Sequence, residues 1–107
     1  MAEKEDLVEL GGNIELSGFS SVDGGMMIVL KKIIGNYARR FSDKGTNFEK
    51  LSLNVKSVHE KEGHGLHEMH AKVLDNGKVF ASKAEDRNIF VAVDSALKKV
   101  SSEMKIK

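Results

Sequence analysis

The stretch Glu68-Met69-His70-Ala71-Lys72-Val73-Leu74-Asp75-Asn76-Gly77-Lys78-Val79-Phe80-Ala81 decides the fold. Met69, Ala71 and Val73 alternate with Glu68, His70 and Lys72, the period of two of a strand with one buried face. Asp75-Asn76-Gly77 interrupts the alternation before Val79-Phe80-Ala81, and Asn-Gly favours the positive φ angles of a tight hairpin. The two runs are therefore antiparallel neighbours. Upstream, Leu51, Leu53 and Val55 alternate with Ser52, Asn54 and Lys56, which adds a third strand to form a meander. Ile14 and Leu16, set against Glu15 and Ser17, give one more half-buried strand near the N-terminus. Leu7 to Leu10 either lengthens that strand or pairs back on it across Gly11-Gly12; the local pattern is compatible with both.

Between the first strand and the meander the period changes. Met26, Leu30, Ile33, Ile34, Tyr37 and Phe41 recur at three- and four-residue steps, the stripe of an amphipathic helix, with Asp23 or Ser21 available as its N-cap. Ile89, Phe90, Val93, Leu97, Val100 and Met104 form a second stripe, for which Asp86 is the expected N-cap. Two helices with one apolar stripe each and a sheet with one apolar face predict an α+β two-layer sandwich. Its order is β-α-β-β-β-α, with both helices on one face of a four-stranded sheet. The first strand reaches the meander through the helical crossover. Residues 13–107 form the single domain, and residues 1–12 are a polar extension or an extra strand.

Composition bounds the function. The 107 residues include 31% charged and 40% hydrophobic side chains, no cysteine, no tryptophan and one tyrosine. Disulfides, thiolate metal sites and thiol chemistry are excluded. No apolar run approaches the roughly 20 residues of a membrane span, and the acidic start Met1-Ala2-Glu3-Lys4-Glu5-Asp6 is unlike a signal peptide, so a cytoplasmic protein with no membrane partner is expected. No phosphate-cradling loop, dinucleotide fingerprint, nucleophile elbow or His-Glu-x-x-His run is present. Hence no enzyme, no cofactor and no small-molecule substrate are expected.

The net charge of +1 conceals an uneven distribution. Residues 24–50 and 78–107 carry the positive excess, and these are the segments that contain the helices. Lys32 and Arg39, seven residues apart, share a helical azimuth opposite the apolar stripe, flanked by Lys31 and Arg40. Arg87, Lys98 and Lys105, at spacings of 11 and 7, are expected to form a second row on the last helix. Such rows serve either as solvated helix faces or as a grooved surface that neutralises phosphates. His59, His64, His67 and His70 cluster around the first turn of the meander, but their spacing matches no known ligand set, and His67 and His70 must point to opposite faces of a strand. No metal site is expected from them.

Several stretches resemble the ribosome hibernation promoting factor family, which includes ribosome-associated protein Y and was long labelled sigma-54 modulation proteins. Lys78-Val79-Phe80-Ala81-Ser82-Lys83-Ala84-Glu85-Asp86 is similar to the family's last strand and the acidic residues after it. Phe90-Val91-Ala92-Val93-Asp94 resembles its aromatic-x-Ala-Ile-Asp helix opening, after an inserted Arg87-Asn88, and Asn13-Ile14-Glu15-Leu16-Ser17-Gly18-Phe19 resembles its first strand and loop. The resemblance spans about residues 13–105. It implies a fold like that of double-stranded-RNA-binding domains, binding to the small ribosomal subunit and its ribosomal RNA near the decoding region, and suppression of translation during ribosome hibernation. The contacts so implied fall on Lys31, Lys32, Arg39, Arg40, Arg87, Lys98 and Lys105. Long members carry a further C-terminal domain with no counterpart in this sequence. The alternative function is a protein-binding regulatory module that uses the exposed sheet face, where Glu15, Ser52, Asn54, His70 and Lys72 are expected.

Overall fold

A computed structural model of the chain describes residues 8–10, 13–20, 22–59 and 65–106. In chain order the elements are β1 Val8–Leu10, β2 Ile14–Ser17, α1 Gly24–Lys44, β3 Phe48–His59, β4 Gly65–Asp75, β5 Lys78–Asp86 and α2 Ile89–Met104. The strands form one mixed sheet in the order β1-β2-β3-β4-β5. The four expected strands are β2 to β5: β2 and β3 run parallel through the α1 crossover, and β3, β4 and β5 are an antiparallel meander. β1 adds a short edge strand, antiparallel to β2, with Val8 opposite Leu16 and Leu10 opposite Ile14. β1 thus pairs back on β2 rather than lengthening it, one of the two arrangements its pattern permits.

Both helices lie on one sheet face, because the buried apolar residues of β2, β3, β4 and β5 project there. Leu16, Leu51, Leu53, Met69 and Val73 from the sheet are buried with Leu30, Ile34 and Phe41 of α1 and Val93, Leu97 and Val100 of α2. Each such side chain contributes roughly 1.5–3 kcal/mol by leaving water. That is enough to offset the cost of glycine inside α1, about 1 kcal/mol relative to alanine at Gly35. Neither helix is long and apolar enough to cross a membrane.

Local chemistry sets the ends of the elements. Asn76 and Gly77 adopt φ of 53° and 78° in the β4–β5 turn, the positive values for which Asn-Gly is suited. Asp75, buried at the end of β4, accepts hydrogen bonds from the backbone N–H groups of Thr46 and Asn47 at 3.2 and 2.9 Å, which fixes the loop from α1 into β3. After β2, Gly18 turns with φ of 81° so close to β3 that a Cβ there would lie 2.3 Å from the Val55 carbonyl oxygen. Asp23 caps α1 by accepting from the N–H groups of Gly25 and Met26. The expected cap of α2 is corrected: β5 continues to Asp86, paired with His67, so the cap moves two residues on to Asn88. The Asn88 side chain accepts from the N–H groups of Phe90 and Val91, while Asp86 accepts from the Asn88 N–H at 2.8 Å.

Candidate nucleic-acid interface

The outer surface of the helical layer carries the basic residues. On α1, the register that buries Leu30, Ile34, Ala38 and Phe41 leaves Lys31, Lys32, Arg39 and Arg40 exposed. Among the described residues, none of these four forms an ion pair within the chain, so their charges face outward. On α2, Lys98 is exposed along 72% of its side chain and sits 3.6 Å from Asp94, one helical turn earlier. Arg87 and Lys105 are exposed as well, but the continuous row of three on the last helix is corrected. The helix spans only Ile89–Met104, which places Arg87 in the turn before it and Lys105 at its left-handed C-cap, with φ of 60°. Periodic spacing orders side chains only where the backbone is helical, and here it is helical at Lys98 alone of the three.

A hydrogen bond between the helices brings part of this set together. The Tyr37 hydroxyl of α1 donates to Asp94 Oδ1 of α2 at 2.9 Å, and Asp94 Oδ2 faces Lys98 Nζ. The Arg40 guanidinium lies over the Tyr37 ring, 5.4 Å from its centroid. A cation on an aromatic face gains about 0.5–1 kcal/mol at an exposed site, and the ring also limits where the long arginine chain can swing. Arg40 and Lys98, from separate helices, are thus tied to one aromatic and one carboxylate. Partial burial of Tyr37, the bond to Asp94 and the Asp94 charge together push the phenol up to about 12. The phenol therefore stays a donor across the physiological range. Sequence reading placed Tyr37 in the apolar stripe and missed its polar end; the available signal was a lone tyrosine at the stripe's edge and an acid, Asp94, beside the apolar positions of α2.

The opposite sheet face is polar and pairs most of its charges. Glu15 meets Lys50 at 2.8 Å, Asn54 Nδ2 donates to Ser17 Oγ at 2.7 Å, and Glu68 meets Lys83 at 2.8 Å. The hydrogen bond from Lys83 holds the Glu68 carboxyl below its ordinary range, and the same bond raises the lysine. His70, 3.6 Å from Glu68, is on this face, whereas the β4 alternation puts His67 on the helix side. The His59 side chain and His64 lie outside the described residues. Among the described residues no three His, Cys, Asp or Glu side chains are grouped as a metal site would need.

No family model and no curated protein matches the sequence. A crystal structure of the Thermus thermophilus Protein Y N-terminal domain does match the fold, with a TM-score of 0.52 over 78% of this chain and 83% of that one. The chain has the Protein Y fold. Identity between the two is 15%, so the likeness is one of architecture. The β-α-β-β-β-α order, the mixed sheet and the two helices on one face are common ground; Lys31, Lys32, Arg39, Arg40 and Lys98 stand on the helices of this fold, with Arg87 and Lys105 just beyond the ends of α2.

Proposed function

We propose that the protein is a non-enzymatic, ribosome-associated factor of the hibernation type. Its helical layer lies against small-subunit ribosomal RNA and obstructs the decoding region of idle ribosomes. The observation that carries this reading is the set of exposed cations on α1, Lys31, Lys32, Arg39 and Arg40, joined at the interhelical hydrogen bond by Lys98, on a Protein Y fold. The resemblance of Phe90 to Asp94 and of Lys78 to Asp86 to the hibernation factors supports the choice of partner.

The mechanism is electrostatic. Lysine and arginine side chains displace counterions condensed on the RNA, which supplies affinity without reading bases. Arg40, already held on Tyr37, loses less freedom on binding than a free arginine and can present its planar donors to a phosphate. Arg87 and Lys105 flank the two ends of α2 and are exposed, and in this reading they add further phosphate contacts.

Co-sedimentation of the purified protein with small ribosomal subunits through sucrose gradients tests this reading. At a slope of about 0.7–0.9 per phosphate contact, seven contacts weaken binding by about 10³- to 10⁴-fold for a fourfold rise in salt. Combined Lys32→Glu, Arg39→Glu and Lys98→Glu replacement is expected to abolish co-sedimentation while leaving the fold intact, since all three are exposed. Undiminished binding of that folded variant would refute the proposal.

A further inference from the structure

The sheet face opposite the helices is uncovered by any described element, and its centre is not flat. Two adjoining depressions of about 240 and 300 Å³ share Glu15, Ser52 and Lys72 in their walls. One reaches toward Asn54 and His70, the other toward Leu74 and Val79.

The strand register explains why they form. Glu15, Ser52, Lys72 and Ala81 stand in one row across β2, β3, β4 and β5. Lys72 therefore has a serine on one side and an alanine on the other, and neither fills the space beside its alkyl stem. No acid faces it from a neighbouring strand. The acids closest along the sheet already hold other lysines, Glu15 with Lys50 and Glu68 with Lys83, each at 2.8 Å. Lys72 itself is exposed and, among the described residues, in no ion pair. Next to it Val79 exposes 61% of its surface, one of the few large apolar side chains left uncovered. A cation, a hydroxyl and an apolar shelf thus adjoin in hollows at the low end of, or below, the roughly 300–1,000 Å³ of drug-sized ligand sites. The phenylalanines of the strands, Phe48 and Phe80, pack toward the helices. The open face therefore lacks the aromatic platforms on which a nucleic-acid strand stacks its bases.

We propose that this face binds a small organic anion, its carboxylate or phosphate held by the Lys72 ammonium and the Ser52 hydroxyl and its apolar body laid over Leu74 and Val79. The site is separate from the helical surface, so it gives the chain a second, ligand-responsive face. Charge and shape set the ligand class: one anionic group, because of the two lysines that line the hollows, Lys50 and Lys72, only Lys72 is without an ion pair among the described residues, and a compact apolar portion.

The test is a ¹H–¹⁵N titration of the full chain with three probes: inorganic phosphate, hexanoate and a nucleoside monophosphate. The expected result is saturable shifts confined to the amides around Ser52, Lys72 and Val79 with hexanoate or the nucleotide, weaker with phosphate. The better of the two organic probes assigns the anionic group as carboxylate or phosphate. Lys72→Ala should weaken that binding by about tenfold or more. Val79→Ser should weaken it for the organic probes and not for phosphate. Both residues are exposed, and unshifted amides in the core report that the variants fold. Co-sedimentation of Lys72→Ala with small subunits should equal that of the parent, which separates this site from the helical surface. Absence of saturable shifts with all three probes, unaltered binding by Lys72→Ala, or organic probes binding no better than phosphate would overturn the proposal.

Discussion

Replacing Tyr37 by phenylalanine removes one oxygen and with it the hydrogen bond that joins α1 to α2. A bond to a charged carboxylate contributes about 1.5–3 kcal/mol when buried, and this one is only partly buried, so a loss of about 1–2 kcal/mol at neutral pH is expected. The pH dependence gives a sharper check. In the folded chain the phenol ionises at about 12, against 10.0 for an unperturbed tyrosine. A group whose folded value is raised contributes stability that is complete below its unfolded value and is lost as pH rises through the folded one. The full linkage would be about 2.7 kcal/mol, and solvent screening at a partly exposed hydroxyl reduces it to about 1 kcal/mol. The stability gap between parent and Tyr37→Phe should therefore hold up to about pH 10 and narrow by about 1 kcal/mol toward pH 12. Urea unfolding at pH values on either side of 10 measures the gap. Because the chain has one tyrosine and no tryptophan, tyrosinate absorbance in the near ultraviolet reports this single group directly. A folded-state midpoint at the ordinary 10.0, or a gap that stays constant through the alkaline range, would refute the account of the interhelical bond.

Gly18→Ala should destabilise the domain by more than about 2 kcal/mol in chemical unfolding, since the new Cβ meets the Val55 carbonyl oxygen at 2.3 Å with φ at 81°. Gly35→Ala has the opposite sign: nothing lies within 4 Å of its Cβ position, and helix propensity should raise stability by about 0.5–1 kcal/mol. Asp75→Ala strands the Thr46 and Asn47 N–H groups and should cost about 1–3 kcal/mol, with the amides of that loop losing protection in hydrogen exchange.

Local chemistry made much of this fold legible in the sequence. Asn76-Gly77 specifies its turn through two adjacent residues, and the alternation of Met69, Ala71 and Val73 specifies the buried side of β4 without reference to any partner. Where the sequence was ambiguous, a distant element decided. Asp86 and Asn88 are both good caps, and only the pairing of Asp86 with His67 keeps the former in the strand. Val8-Glu9-Leu10 has the same alternation whether it continues β2 or folds back beside it. The Tyr37–Asp94 bond joins residues 57 positions apart, and no local pattern anticipates a contact of that range. The exposure of Lys31, Lys32, Arg39 and Arg40 was legible because it needs only the helical period; the arrangement of Arg87 and Lys105 was not, because both stand beyond the ends of α2.

The two faces of the molecule treat charge in different ways, and this difference gives the total of +1 its meaning. On the sheet face, cross-strand neighbours are fixed by register, so Lys50 and Lys83 each stand against an acid, and the field they cast is short-ranged. On α1 the four cations sit on a helix whose first turn has no acid, and no described ion pair within the chain reaches them. Their repulsion is a cost the folded chain carries alone. An anionic surface placed against α1 would relieve it, so binding and the local stability of α1 should be coupled. Hydrogen exchange checks this: the amides of α1 around Lys31, Lys32, Arg39 and Arg40 should gain protection at high salt in the free protein, and should gain it at low salt when small subunits are added. Equal protection under all these conditions would mean that the charges on α1 do not feel one another, and would remove the physical reason for assigning the RNA contact to this helix.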